Sequence, residues 1–355
     1  MCSHILEKVK LIYDRLEDEE SKGIFINRLL FSITSDWKYV ENIVAKYLKG
    51  YNSDKIFCGI EKVITNLQLK KNEKYIIYGA GMYGHIAYET LSKIGIEPIA
   101  FCDTDCNKWE KEYCGLKIIS PQDLKEYSDA YILLAVWNYS KSLKDYLVEK
   151  NIDENKIIDC FEVENYVDVN QYFDENIIKW GQKEIFVDCG CFDFETSKIF
   201  TEKCPDYKKI ICFEPNEENR EVIKQKIDEY SKKNVEIIPF GVWDKKEELR
   251  FGGSGSSSKI CLDGDTTIDV IPLDDIISDE VTFIKMDIEG AELKALKGAE
   301  NIIIRNKPRL AISVYHKPED ILEIPEYILE IMPEYKLYLR HYSNFYATET
   351  VLYAI

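Results

Sequence analysis

The chain opens with helical spacing and then changes to short apolar runs separated by amphipathic stretches. Near the front, Ile5, Val9, Ile12 and Leu16 recur three and four apart, which is one face of a helix. Ser21–Leu30 and Tyr39–Leu48 repeat the arrangement. The pattern predicts a helical N-terminal segment over residues 1–73, either a docking appendage or an element for oligomerisation. From Lys74 the rhythm is different. "KYIIYGAGMYGHIAYETLSKIG" reads as strand, glycine turn and helix, and "EPIAFCDTD" as a second strand. "AYILLAVW" is a near-continuous apolar run of the kind buried on both faces in parallel sheets. These elements predict a Rossmann-like α/β domain over 74–168. The alternation then restarts in "EIFVDCG", "KIICFEP", "VEIIPFG", "VTFIKMDIEG", "RLAISVYH", "KLYLRHY" and "TVLYAI". The last two have only "SNFYATE" between them, which fits an antiparallel pair at a sheet edge. The expected fold class is therefore α/β: two doubly wound Rossmann-like domains, the second over 169–355, behind a helical segment.

Composition narrows the function. Of 355 residues 45% are apolar, enough for real cores. No apolar run approaches the roughly 18 residues that would span a bilayer. The first residues lack the apolar core of a signal peptide, so the expected location is cytoplasmic. A net charge of −18 argues against nucleic acid and anionic lipid as partners. A small-molecule or glycan substrate fits better. The 11 cysteines show no zinc-ligand spacing and read as reduced, buried side chains, so the spacing predicts no metal site.

Two strand ends carry candidate chemistry. "GAGMYG" follows a strand and opens a helix, and Asp103 closes the next strand about 20 residues on. In this motif Gly79 makes the turn, Gly81 admits a pyrophosphate, Gly84 lets helix approach strand, and the acid accepts ribose hydroxyls. Packing alone is the competing explanation for these glycines. The local pattern resembles the small Rossmann domains at the front of some sugar-modifying transferases, which implies a nucleotide or nucleotide-sugar as ligand. No Tyr-x-x-x-Lys signature supports nicotinamide chemistry, since Tyr139 and Lys141 are two apart.

The second site begins at "FVDCGCFDFETS". Asp188 and Gly190 end one strand, and Glu214, before Pro215, ends the next. A carboxylate can accept both hydroxyls of a ribose diol. With no glycine-rich phosphate loop here, the ligand has a ribose without a pyrophosphate, and S-adenosylmethionine meets that description. Gly241, Val242 and Trp243 are placed to lie against an adenine. Asp287 and Glu289 leave a later strand, and His316 another. His316 is the first candidate for a base. Asp287 is the rival, as base or as holder of a divalent metal, and is also a candidate N-cap for a helix near Glu289.

"FVDCGCFDFETS", "CFEPN", "VTFIKMDIEGAELKALKGAE" and "AISVYHKPEDILEIP" together resemble the FkbM family of S-adenosylmethionine-dependent methyltransferases, over roughly residues 170–355. The resemblance implies a class I methyltransferase fold and methylation of hydroxyl oxygens on sugars, glycans or polyketide-type products. It places Asp188, Gly190 and Glu214 on the cofactor motif, and Asp287, Glu289 and His316 on segments facing the substrate. Phe194 stands where the family usually has a glycine, which favours the alternative of a non-catalytic scaffold of glycan assembly. "FGGSGSSSKI" reads as a lid or a surface loop, and Tyr338, Tyr342 and Tyr346 as candidate lining of a sugar site or as strand filler.

Overall fold

The computed structural model describes residues 2–34, 36, 38–48, 64–65, 67, 69–136, 140–160, 167–252, 259–260, 266–344 and 348–355. It divides into two compact units. One comprises residues 1–51, 166–343 and 347–355, and the other residues 52–165 and 344–346. The first helices group with the rear sheet.

Those helices are α1 (Cys2–Arg15), α2 (Glu19–Thr34) and α3 (Lys38–Tyr47). Asp18 caps α2, accepting the Ser21 amide at 2.8 Å. Ile12 and Leu16 enter the core as the spacing predicts, and Val9 packs against it, but Ile5 is exposed. Ile24, Phe25 and Ile43 join the same core.

The second unit holds β1 (Tyr75–Tyr78), α4 (Met82–Lys93), β2 (Ala100–Cys102), β3 (Glu112–Tyr113), β4 (Leu116–Ile119), β5 (Tyr131–Leu134), α5 (Ser140–Glu149) and β6 (Ile157–Asp159). Its sheet runs β3-β4-β2-β1-β5-β6. All pairings are parallel except β3 with β4. The strand order reverses at β1, which places the glycine turn at the switch point.

The rear sheet is built from β7 (Ile185–Cys189), β8 (Lys209–Phe213), β9 (Val235–Ile238), and, further along, β14 (Phe283–Met286), β15 (Arg309–Ser313), β16 (Leu337–His341) and β17 (Thr350–Ala354). Its order is β16-β17-β15-β14-β7-β8-β9. All seven strand segments expected from the rear part of the sequence are in it. β17 is antiparallel to both β15 and β16, with β16 at the edge. The helices between include α6 (Glu195–Lys203), α7 (Glu217–Glu229), α8 (Leu273–Ile276), α9 (Glu292–Lys297), α10 (Glu300–Asn306) and α11 (Asp320–Ile331). Among them, α7 is capped by Asn216, whose side chain accepts the Asn219 amide.

A second, smaller sheet was not expected. It contains β10 (Gly241–Val242), β11 (Glu247–Gly252), β12 (Lys259–Ile260) and β13 (Thr266–Ile271), in the order β10-β13-β11-β12. "FGGSGSSSKI" therefore begins and ends in paired strands, and residues 253–258 of this lid candidate lie outside the described residues. No described helix is long and apolar enough to cross a membrane.

The turn from α1 to α2 covers edge strand β16. The Glu17 amide donates to the Leu337 carbonyl at 3.0 Å, and the Leu339 amide donates to the Ser21 hydroxyl at 2.9 Å. An uncovered edge would invite pairing with another chain. His341, on this strand, is buried with Nδ1 3.0 Å from the Thr350 hydroxyl. Burial, and then the charge of Arg28, push its pKa down to about 3. The unfolded chain, with an ordinary histidine, binds the proton more readily, so this group's stabilisation is complete above about pH 6.5 and fades as pH falls toward 3. Urea unfolding of the chain and of His341→Gln between pH 7 and pH 4 is expected to show a shallower pH dependence in the variant. Parallel curves would contradict this.

Candidate functional site

The opening of the rear cleft is set by Gly190. Its φ is +80°, and a Cβ there would stand 2.1 Å from the Asp287 carbonyl oxygen. Only glycine lets the loop after β7 pass beside the loop after β14. The two loops frame a cleft of about 400 Å³, within the range of small-ligand sites of about 300–1,000 Å³. Gly190, Glu214, Pro215, Gly241 and Val242 line it, as do Asp287 and Glu289. Ile268 and Val270 of the unexpected small sheet supply apolar wall.

Glu214 is held by three donors. The Phe192 amide reaches its Oε2 at 3.1 Å, while the Asn216 amide and the Asn219 side chain reach Oε1 at 2.9 and 3.2 Å. Burial raises its pKa against the opposing pull of these bonds. The carboxylate is fixed in place at the cleft wall.

Asp188 is different. It is 0% exposed and does not line the cleft. Its Oδ2 accepts the Ser197 hydroxyl at 2.7 Å, and its Oδ1 lies 3.0 Å from Lys285 Nζ. The register of β7 with β14 places Lys285 opposite Asp188. Lys285 also donates to the Gly190 carbonyl at 2.8 Å and lies over the Tyr172 ring. Burial would strip its proton, but Asp188 and then Asp287 more than offset this, so it remains an ammonium. Asp188 therefore pairs with Lys285, which lines the cleft, and presents no surface of its own to it. Trp243 is likewise outside the lining, with Lys294 over its ring.

Phe194 adopts a left-handed φ of +71°, the conformation a glycine would favour. Its side chain is 0% exposed, packs in the core with Phe186 and Phe200, and stays out of the cleft. The backbone thus follows the glycine path while the ring turns away. Phe194→Gly is expected to relieve about 1 kcal/mol of backbone strain and lose about 3–5 kcal/mol of packing. The net destabilisation, about 3 kcal/mol in urea unfolding, should leave ligand affinity in the cleft unchanged. A gain in stability would show that the ring is not buried as described.

Asp287, Glu289 and His316 come together, joined by residues the sequence reading did not single out. Asp287 accepts Tyr172 OH at 2.6 Å and Tyr315 OH at 3.2 Å. Burial would raise its pKa, but Lys285 and His316 lower it overall. It does not cap a helix, because α9 starts at Glu292 with Ala291 at the cap. Glu289 sits at φ +56° in the tight exit loop. His316 Nε2 is 3.4 Å from Asp287 and 3.7 Å from Glu289, and its Nδ1 is 3.0 Å from Glu292. Burial would lower the His316 pKa, but Glu292, then Asp287 and Glu289, carry it up to about 9. These carboxylates favour the protonated ring, which must give up that proton before His316 can serve as a base or as a ligand. Lys285 was visible in the sequence as a lone charge inside the apolar run "TFIKM"; nothing in the sequence marked Tyr172.

In the other unit, Gly79 has φ +112°, and a Cβ on Gly84 would fall 1.8 Å from the Gly79 carbonyl oxygen. Nothing lies within 4 Å of a Cβ on Gly81. Asp103 Oδ2 accepts the Ala80 amide at 2.8 Å and Lys108 Nζ at 3.0 Å, and Oδ1 accepts the Asp105 amide at 2.9 Å. These contacts use the acid to fasten the glycine turn. Tyr139 and Tyr346 lie outside the described residues. Tyr338 and Tyr342 do not line the rear cleft, and Tyr342 instead bonds Tyr353 at 2.6 Å.

The arrangement of a cleft at strand exits, an acid after β8 and a second acid group after β14 coincides with a family match. Over residues 188–338 the sequence matches the model described as methyltransferase FkbM domain. Residues 188–338 carry a methyltransferase FkbM domain. Residues 71–158 match a model described as C2185-like, N-terminal. Among solved structures, the chain is similar to the methyltransferase FkbM from Methylobacillus flagellatus KT. That similarity has 22% identity and a TM-score of 0.51, over 92% of this chain and 100% of that one. An rRNA methylase from Streptococcus thermophilus aligns at 18% identity over 49% of this chain and 86% of its own, with a TM-score of 0.33. No curated protein matches the chain. The matched region covers every residue that lines the cleft, while Tyr172, which bonds Asp287, precedes it.

Proposed function

We propose that the rear unit binds S-adenosylmethionine in the cleft and transfers its methyl group to a hydroxyl of a sugar, glycan or related intermediate. The observation that carries this is Glu214, a fixed, buried carboxylate on the wall of a cleft of about 400 Å³ in an FkbM domain. A carboxylate there suits a ribose diol, and the further acids lining the cleft, Asp193 and Asp287 among them, suit a cationic sulfonium and ammonium. The chemistry is an in-line displacement. The acceptor oxygen bonds to the methyl carbon, the carbon–sulfur pair returns to sulfur, and the hydroxyl proton passes to Asp287 or Glu289 at the cleft wall. Alignment of the two reactants is worth about 7–11 kcal/mol and is the larger part of the task. The front unit, with its glycine turn, is assigned a nucleotide or nucleotide-sugar, for which the open space beside Gly81 is the support. Calorimetric titration with S-adenosylhomocysteine tests the reading of the rear cleft. One equivalent bound tightly supports it, and absence of binding overturns it in favour of a scaffold.

A further inference from the structure

Glu292 has no place in the methyl transfer just described, yet it is 0% exposed beside the cleft. Its Oε1 accepts the Ile288 amide at 2.8 Å and the Gly290 amide at 3.4 Å, which ties down the exit loop. Its Oε2 is buried and meets no hydrogen-bond donor among the described residues. A buried carboxylate oxygen without a donor is costly, and a cation is a common remedy. One donor atom each from Asp287, Glu292 and His316 lie within 4.8 Å of one another. They come from three places in the fold: the end of β14, the first residue of α9 and the loop after β15.

We propose that Asp287, Glu292 and His316 form a site for one divalent transition-metal cation on the strand-exit side of the cleft. Donors about 2.1 Å from a shared ion stand about 3–3.5 Å apart in tetrahedral or octahedral-cis positions, so separations of up to 4.8 Å must close by up to about 1.5 Å, within reach of side-chain rotation. Two carboxylates with one imidazole suit manganese or zinc better than calcium, which prefers six to eight oxygens. Asp287 lines the cleft, so the cation borders the acceptor. The functional use rests on the methyl-transfer reading: the cation acidifies the acceptor hydroxyl, whose proton then leaves to Glu289 while the methyl group moves from sulfur to oxygen.

The test is Mn²⁺ titration of the full chain, stripped with chelator, followed by electron paramagnetic resonance. One bound ion per chain is expected. Glu292→Gln keeps an acceptor for the Ile288 amide and should weaken Mn²⁺ by about 10–100-fold, as should His316→Gln. No binding at millimolar Mn²⁺, or binding that both variants retain, overturns the site. S-adenosylhomocysteine titration of the metal-free chain is run in parallel. Its failure would remove the methyl-transfer reading while leaving the Mn²⁺ result to decide the cation site alone.

Discussion

Glu214→Ala is expected to weaken S-adenosylhomocysteine binding by about 100-fold or more. Each hydrogen bond to a charged group contributes about 1.5–3 kcal/mol, and a ribose diol offers two. Removing the carboxylate also frees the Phe192 and Asn216 amides, so the cleft wall itself loosens. Part of the loss is therefore positional, and Glu214→Gln, which retains one acceptor oxygen, should fall between the chain and Glu214→Ala. Calorimetry gives the three dissociation constants. Equal affinities across the series would show that Glu214 faces no ligand and that its role is confined to the turn before α7. Of the two strand-end acids, Glu214 borders the cleft and Asp188 does not.

Lys285→Met should cost about 3–5 kcal/mol of stability, since it strands Asp188 in the core without its cation. Both partners are almost wholly buried, so solvent does little to screen the pair. The double variant Asp188→Asn with Lys285→Met removes both charges and should recover much of the loss. A pair of this kind is often neutral to replace as a whole and costly to break. Urea unfolding of the two singles and the double closes the cycle. A single-variant cost below about 1 kcal/mol, the range of exposed pairs, would contradict the description. Because Lys285 also donates to the Gly190 carbonyl, its loss should weaken ligand binding as well.

The rear sheet was legible because parallel strands buried on both faces are written as unbroken apolar runs. β7, β8, β14 and β15 each bury nearly every side chain, so the composition of a few residues suffices. The short link before β17 was enough to indicate its antiparallel pairing. The small sheet was not legible. β11 and β13 read "EELRFG" and "TTIDVI", where polar residues interrupt the apolar ones, and their pairing spans a long connection.

Sequence by itself determined the order of the strands' cores, the glycine turns and the acids at strand ends, because these follow from local periodicity and local backbone limits. It also determined one helical face, in Ile12 and Leu16, though not the strand edge that the helices cover. Only the tertiary structure decided which end-of-strand acid meets the cleft. Asp188 turns inward because strand register sets Lys285 beside it, while Glu214 stays at the wall because three donors hold it there. Register and cross-strand charge pairing are long-range, and no spacing along the chain records them. The same holds for His316, which meets Asp287, Glu289 and Glu292 only because loops that are neighbours in the folded sheet bring them to it.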